Sequence, residues 1–217
     1  MNHLLSNTMY KISRKLVLSS IAIFALSLAA FTGIRYHGDG NYKVNTEETN
    51  LEWTGKKFTG EHVGTLKIKS GTITMGGHQL RSGDFEIDMT TITCTDLKGD
   101  AKEDLESHLR NKDFFSTKKF PVATFKITST GRMQVDKDGN NYWAKGDFTL
   151  KGITNEIRIK CRLKVVGTVL TIAARFTIDR TKWNIKYKSK SVFPELGDKF
   201  IYDDLEMRLT LVANKAD

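Results

Sequence analysis

Residues 156–179, EIRIKCRLKVVGTVLTIAARFTID, alternate apolar and polar side chains through two segments joined at Gly167-Thr168. Successive side chains of a strand point to opposite faces. Ile157, Ile159, Cys161, Leu163 and Val165 therefore share one side of the first arm, and Glu156, Arg158, Lys160, Arg162 and Lys164 the other. On the second arm Leu170, Ile172, Ala174, Phe176 and Ile178 oppose Thr171, Ala173, Arg175, Thr177 and Asp179. A glycine at the first turn position suits a type II′ turn, whose positive φ it accepts without a Cβ clash. The stretch is expected to form a β-hairpin with one oily and one basic face, and the fold depends on what the oily face covers.

The same period of two recurs on either side. Tyr142, Ala144, Gly146, Phe148 and Leu150 alternate with Trp143, Lys145, Asp147 and Thr149, and Leu205, Met207, Leu209 and Leu211 line one side of a last strand. Upstream, Leu51 to Thr54, Gly64 to Ser70 and Gly71 to Met75 read as short strands, the last two separated by a bend at the glycine. Phe85, Ile87 and Met89 oppose Glu86 and Asp88, but Ile92 breaks the parity. A bulge is expected near Thr90 or Thr91, which leaves the direction of Cys94 open. Phe125 and Ile127 lead towards Met133 and Val135, and Asp138-Gly139-Asn140-Asn141 is a strong turn signal. Between Asp96 and Lys112, Ala101, Leu105 and Leu109 recur at helical spacing among charged residues, which predicts one short amphipathic helix. Residues 180–201 read as a long irregular connection. About eight strands at hairpin spacing point to an all-β chain, either a closed antiparallel barrel or a sandwich.

The 217 residues are 39% hydrophobic and 27% charged, ordinary for one globular domain. Three cations, Lys11, Arg14 and Lys15, fall in the first thirty residues, which hold no acid; subtracting them from the formal +9 leaves +6. The N-terminus joins basic KISRK to an apolar run from Leu16 to Phe31, with small residues Ser27, Ala29 and Ala30 spaced for signal peptidase. Residues 1–34 are expected to be a signal peptide or an uncleaved signal anchor, residues 35–41 a linker, and residues 42–217 the domain proper. Export follows from either form, to the periplasm or beyond.

The wording of the segments carries a resemblance. WTGKK at 53–57, GEHVGT at 60–65, GDFEIDMTTI at 83–92, Asp96-Leu97, His108-Leu109, KDFFSTKKFPVATF at 112–125, GDFTLKGIT at 146–154, FTIDRTKW at 176–183 and Gly197-Asp198 resemble, in that order, the YceI-like family. These are lipocalin-like bacterial proteins associated with polyisoprenoid binding. The resemblance implies an extended antiparallel barrel closed over a long apolar interior, usually in the periplasm, that takes the tail of an isoprenoid or fatty amphiphile. Cys94 departs from the pattern, standing where the family usually has Ser, Thr or Val.

Alternating apolar residues fit a packed core as well as a cavity. Closure into a barrel, with small inward Ala144, Gly146, Cys161 and Ala174 beside Phe85, Phe125, Phe148 and Phe176, fits a cavity. With the resemblance, the expected lining is Phe85, Ile87, Met89, Phe125, Phe148, Leu163, Ile172 and Phe176, with Trp53, Trp183 and Tyr187 at a mouth or polar head. The alternative is a structural or interaction protein with a filled barrel that acts through its outer surface. The basic stripe Arg158, Lys160, Arg162, Lys164 and Arg175 suits a solvated face or transient contact with an anionic membrane surface; no aromatic residue interleaves it, and nucleic acid is not expected. A homodimer is compatible with the sequence. No nucleophile elbow, phosphate loop or zinc-protease motif occurs, and Asp88, Asp96, Asp113 and His108 suggest backbone caps rather than acid/base chemistry. The chain is expected to be non-catalytic and to need no cofactor. His62, His78 and His108 lack paired metal-ligand spacing, Glu61-His62 being the nearest to a nucleus. Cys94 and Cys161 rule out a disulfide-dense scaffold.

Overall fold

The computed structural model describes residues 38–216. The signal segment and the start of the linker lie outside the described residues. Nine strands follow: β1 Gly40–Val44, β2 Asn50–Lys57, β3 Gly60–Gly76, β4 Gln79–Cys94, β5 Val122–Arg132, β6 Tyr142–Leu150, β7 Ile153–Val166, β8 Val169–Asp179 and β9 Ile201–Lys215, with one helix, α1 Gly99–Arg110, between β4 and β5. The first strand begins at Gly40, inside the expected linker, because Asp39 ties the entering chain to the β3–β4 turn by accepting from Gly77 N and His78 N at 2.9 and 2.8 Å.

Every strand pair is antiparallel, and the order β1-β3-β2-β9-β8-β7-β6-β5-β4 is closed by β3 pairing with β4. β1 and β2 occupy one position between them: β1 pairs with the end of β3 (Tyr42↔Ile73) and of β9 (Lys43↔Asn214), β2 with the start of β3 (Leu51↔Leu66) and the middle of β9 (Leu51↔Leu209). The result is a closed barrel of eight staves. Closure gives each stave a neighbour on both sides, the β4–β5 pairing running only from Asp84↔Lys126 to Asp88↔Val122.

The hairpin forms as its pattern predicts, with Cys161 opposite Ala174 and Leu163 opposite Ile172. Gly167 takes φ 60° in the turn, where a side chain would be strained. The parity break in β4 is a bulge: Thr65↔Thr93 and Lys67↔Asp88 set two steps of β3 against five of β4. Side chains replace the lost ladder bonds, Lys67 N donating to Thr91 Oγ1 at 2.9 Å and Thr90 N to Asp88 Oδ1 at 2.9 Å. The extra residues turn Ile92 and Cys94 inward, and Cys94 is fully buried. The bend expected at Gly71 does not divide the chain, since β3 runs unbroken for 17 residues with a register shift between Ile68 and Ser70.

The helix is shorter than expected, and its stripe differs. Leu109 is buried and Leu105 partly buried, but Ala101 is exposed, and the second buried helical residue is Glu106. Its carboxylate accepts from Thr93 Oγ1 at 2.5 Å and Cys94 N at 2.9 Å and pairs with Arg110 at 3.0 Å, which fastens α1 to the end of β4. Burial works against the charge, yet the bonds from Thr93, Cys94 and Arg110 outweigh it and hold the Glu106 pKa down at about 2. A depressed carboxyl contributes stability that is present above its unfolded pKa and lost as pH falls through the folded one. Acid unfolding between the ordinary Glu value and about 2 should therefore be shallower in Glu106→Gln, which should also cost roughly 2–3 kcal/mol at neutral pH. Urea midpoints measured across that range check both.

The 180–201 connection is more regular than the sequence suggests, holding 3-10 turns at Arg180–Trp183 and Pro194–Lys199. Buried Arg180 organises it by donating to the carbonyls of Ile185, Ile201 and Tyr202 at 2.7, 3.1 and 3.1 Å. Among the described residues no helix is long and apolar enough to cross a membrane.

Candidate functional site

The inward faces enclose a cavity of about 90 Å3 whose accessible wall is entirely apolar. Three aromatic rings from neighbouring strands dominate one side: Phe85 lies opposite Phe125, and Phe125 opposite Phe148. The first two stack at 6.3 Å and 18°. The space exists because neighbouring strands carry small inward residues: Cys161 is paired with Ala174, and Ala144, opposite Ile159, lies one inward position further down. Ile157 and Ile159 are on the inward face yet only half-buried, as residues bordering empty space must be. Cys161 is the one titratable side chain on this wall; burial pushes its pKa up to about 11, so it stays a neutral thiol and behaves as a small apolar group.

Of the lining residues expected from sequence, Phe85, Ile87, Phe125, Phe148, Ile172 and Phe176 border the cavity. Leu163 and Met89 point inward but away from it, Leu163 bordering a groove at one end of the barrel and Met89 packing in the core. Trp53 is buried at 4% exposure in the wall of β2, and its Nε1 has no hydrogen-bond partner. Trp183 and Tyr187 are not at an open mouth. Trp183, 1% exposed, seals the lower end, where β6 turns into β7; it donates Nε1 to Phe148 O at 3.1 Å and packs edge-on to the Phe148 ring at 5.4 Å. Tyr187 joins His108 and Phe114 in an aromatic cluster beside α1, at 4.6 and 5.5 Å. The pattern also holds lining residues that were not singled out, Leu51, Ile68, Leu80, Ile127, Met207 and Leu209 among them; the inward parity of their strands was their only signal.

The upper end is polar and more open. A groove of about 410 Å3 lies among Gly38, Met75, His78, Arg132, Tyr142 and Leu163. Arg132 donates Nε to Tyr142 Oη at 2.7 Å and Nη2 to His78 O, and its guanidinium lies 5.7 Å from the Tyr142 ring centre. Tyr142 is paired with Cys161, so this polar layer stands directly above the apolar cavity.

Outside, the basic stripe is exposed, but it does contain an aromatic residue. Trp143 lies flat over Gly131, where an added Cβ would sit 2.5 Å from Nε1, and Arg158 stacks on its ring at 4.2 Å. Sequence spacing hides this because Trp143 comes from the neighbouring strand, opposite Lys160. Lys145 pairs with Glu156 at 2.8 Å and Lys160 lies 3.9 Å from Asp136, so the stripe is partly neutralised. The acids expected as caps include Asp88, which holds the β4 bulge, while Asp113 faces His108 at 3.7 Å. Cys94 and Cys161 are both free thiols.

Comparison with known proteins gives the same architecture. The YceI-like domain family matches residues 42–213. Protein YceI of Escherichia coli O17:K52:H18 is 34% identical over 100 residues, 46% of this chain and 48% of that protein. UPF0312 protein plu2095 of Photorhabdus laumondii is 43% identical over 104 residues, 48% and 50% of the two chains. The chain spans about half the length of these relatives. Among solved structures, Burkholderia cenocepacia BcnA superposes with a TM-score of 0.63 at 19% identity, covering 79% of this chain and 99% of that one. A polyisoprenoid binding domain from Saccharophagus degradans, implicated in plant cell wall breakdown, superposes at 0.57 and 14% identity, covering 81% and 98%. At these identities the likeness is one of fold.

Proposed function

The chain belongs to the YceI-like family, and from that premise we propose that it is an exported, non-catalytic carrier that holds the tail of a long-chain isoprenoid or other fatty amphiphile inside its barrel. The observation that carries this reading is the closed barrel around a cavity with no polar wall, capped at one end by Trp183 and bordered at the other by Arg132 and Tyr142. A chain-like apolar ligand needs no more chemistry than that: each methylene taken from water contributes ~0.8 kcal/mol, and ten supply ~8 kcal/mol before association costs. The tail enters from the upper end and its polar head stays beside Arg132 and Tyr142. Export rests on the basic and apolar N-terminal segment, whose form is that of a secretory signal.

The size of the cavity adds a condition. At about 90 Å3 it is smaller than the ~150 Å3 that admits benzene in an engineered apolar site, and well under the ~300–1,000 Å3 of drug-sized pockets. A long tail therefore fits only if Phe85, Phe125 and Phe176, which keep partial exposure, swing aside. Loading should therefore expand the barrel. Organic extraction of the purified protein followed by mass spectrometry should yield a long-chain lipid, and added polyprenol should be taken up with quenching of Trp fluorescence. Lipid-free protein that refuses added polyprenols and fatty amphiphiles would leave the filled-barrel reading, in which the outer surface acts.

A further inference from the structure

We propose that His62, Cys94 and Asp96 form a binding site for a borderline-soft divalent cation of the zinc(II) class at the lower rim of the barrel, separate from the apolar cavity. The β3–β4 ladder builds it. Gly64 pairs with Cys94, and Thr95 N donating to Val63 O at 2.9 Å carries the ladder one step further, so that His62 comes opposite Asp96 although 34 residues separate them. Alternation puts residues 62, 94 and 96 on one face.

Their donor atoms, imidazole Nδ1, thiol Sγ and a carboxylate oxygen, all lie within 4.8 Å of one another. Asp96 is the centre: His62 Nδ1 stands 2.9 Å from Oδ2, and Cys94 Sγ donates to Oδ1 at 3.0 Å. Tetrahedral zinc with bonds of ~2.0–2.3 Å holds its ligand atoms roughly 3.3–3.8 Å apart, so small side-chain rotations suffice. Val63 N, donating to Asp96 Oδ1 at 2.9 Å, orients the carboxylate from outside the triad. Burial opposes its charge, but the bonds from Cys94, Val63 and His62 keep it ionised far below the usual carboxylate range. Cys94 is fully buried, His62 is partly exposed and Asp96 is exposed, which gives the ion a solvent side for entry.

In the metal-free protein the thiol proton, and the Nδ1 proton in the tautomer that donates to Asp96, stand between the donors where a cation would sit. On binding, the S–H bond breaks, an S–metal bond forms and that proton leaves to solvent; the imidazole gives up its Nδ1 proton to solvent and takes one from solvent on Nε2, so that it stays neutral and ligates through Nδ1. Three protein ligands leave one tetrahedral position for an exogenous ligand. Trp53, whose ring lies over Gly64 directly opposite Cys94, supplies a buried and unpartnered Nε1–H on the same stretch of wall.

The test uses cobalt(II) as a spectroscopic stand-in, added to the purified, reduced, chelator-treated protein. One equivalent should develop a thiolate-to-cobalt charge-transfer band that zinc(II) displaces. Cys94→Ser should abolish the band, His62→Gln should weaken binding more than about tenfold, and Cys161→Ser should leave it unchanged. A folded wild-type protein without the band, a band that depends on Cys161, or His62→Gln with unaltered affinity would overturn the assignment. If Cys94→Ser fails to fold, the His62→Gln and Cys161→Ser pair decides, since His62 is half-exposed and carries little of the core.

Discussion

Phe148→Ala should lower stability by about 3–5 kcal/mol, the usual cost of deleting a buried ring, and bring the thermal midpoint down by roughly 10 °C. Phe148 is 8% exposed, faces the cavity and packs edge-on to Trp183 at 5.4 Å. The Trp183 hydrogen bond goes to the Phe148 carbonyl, which the substitution keeps, so the measured loss belongs to the ring. The same change removes the floor of the cavity. If the barrel carries a lipid, the extracted lipid should change in amount or chain length together with the midpoint. Stability lost with lipid content unaltered would fit a filled barrel and would count against the carrier.

Gly64→Ala should be at least as severe, on the order of 4–5 kcal/mol, or should leave no soluble protein. A Cβ at this position would meet Thr93 O at 1.9 Å and the Trp53 ring at 2.4 Å. Gly64 lacks a positive φ, so the cost is one of contact rather than backbone strain. The carbonyl cannot retreat, because Gly64 is paired with Cys94 and the amide of Cys94 is held by Glu106 at 2.9 Å. The ring can be removed: Gly64→Ala combined with Trp53→Leu should recover little stability if the backbone contact dominates. Substantial recovery in urea melts of the double variant would shift the cause to the indole.

Both predictions turn on residues whose meaning changes between chain and fold. Phe148 sits in an alternating strand, and its inward direction is legible from parity alone. Its role as the floor of a cavity is not, since that needs Trp183, which comes from the connection after β8. Gly64 sits in a recognisable motif, but only the register with Cys94 explains why it must be glycine.

Local features are legible in the chain. Period-two alternation marks the strands, Gly167 marks the hairpin turn, and the parity break before Ile92 marks a bulge without giving the direction of Cys94; each involves a few residues and the stereochemistry of an extended chain. The spaced motifs added the family, and the family the barrel. How the staves meet emerges only in the folded barrel: that β1 and β2 share one position, that Trp143 stacks with Arg158, which inward residues border space and which plug an end, and that His62, Cys94 and Asp96 come together. Those outcomes depend on the register between strands far apart in the chain. A one-residue slip in that register would reverse the facing of a whole stave, and the alternation within a single strand carries no record of it.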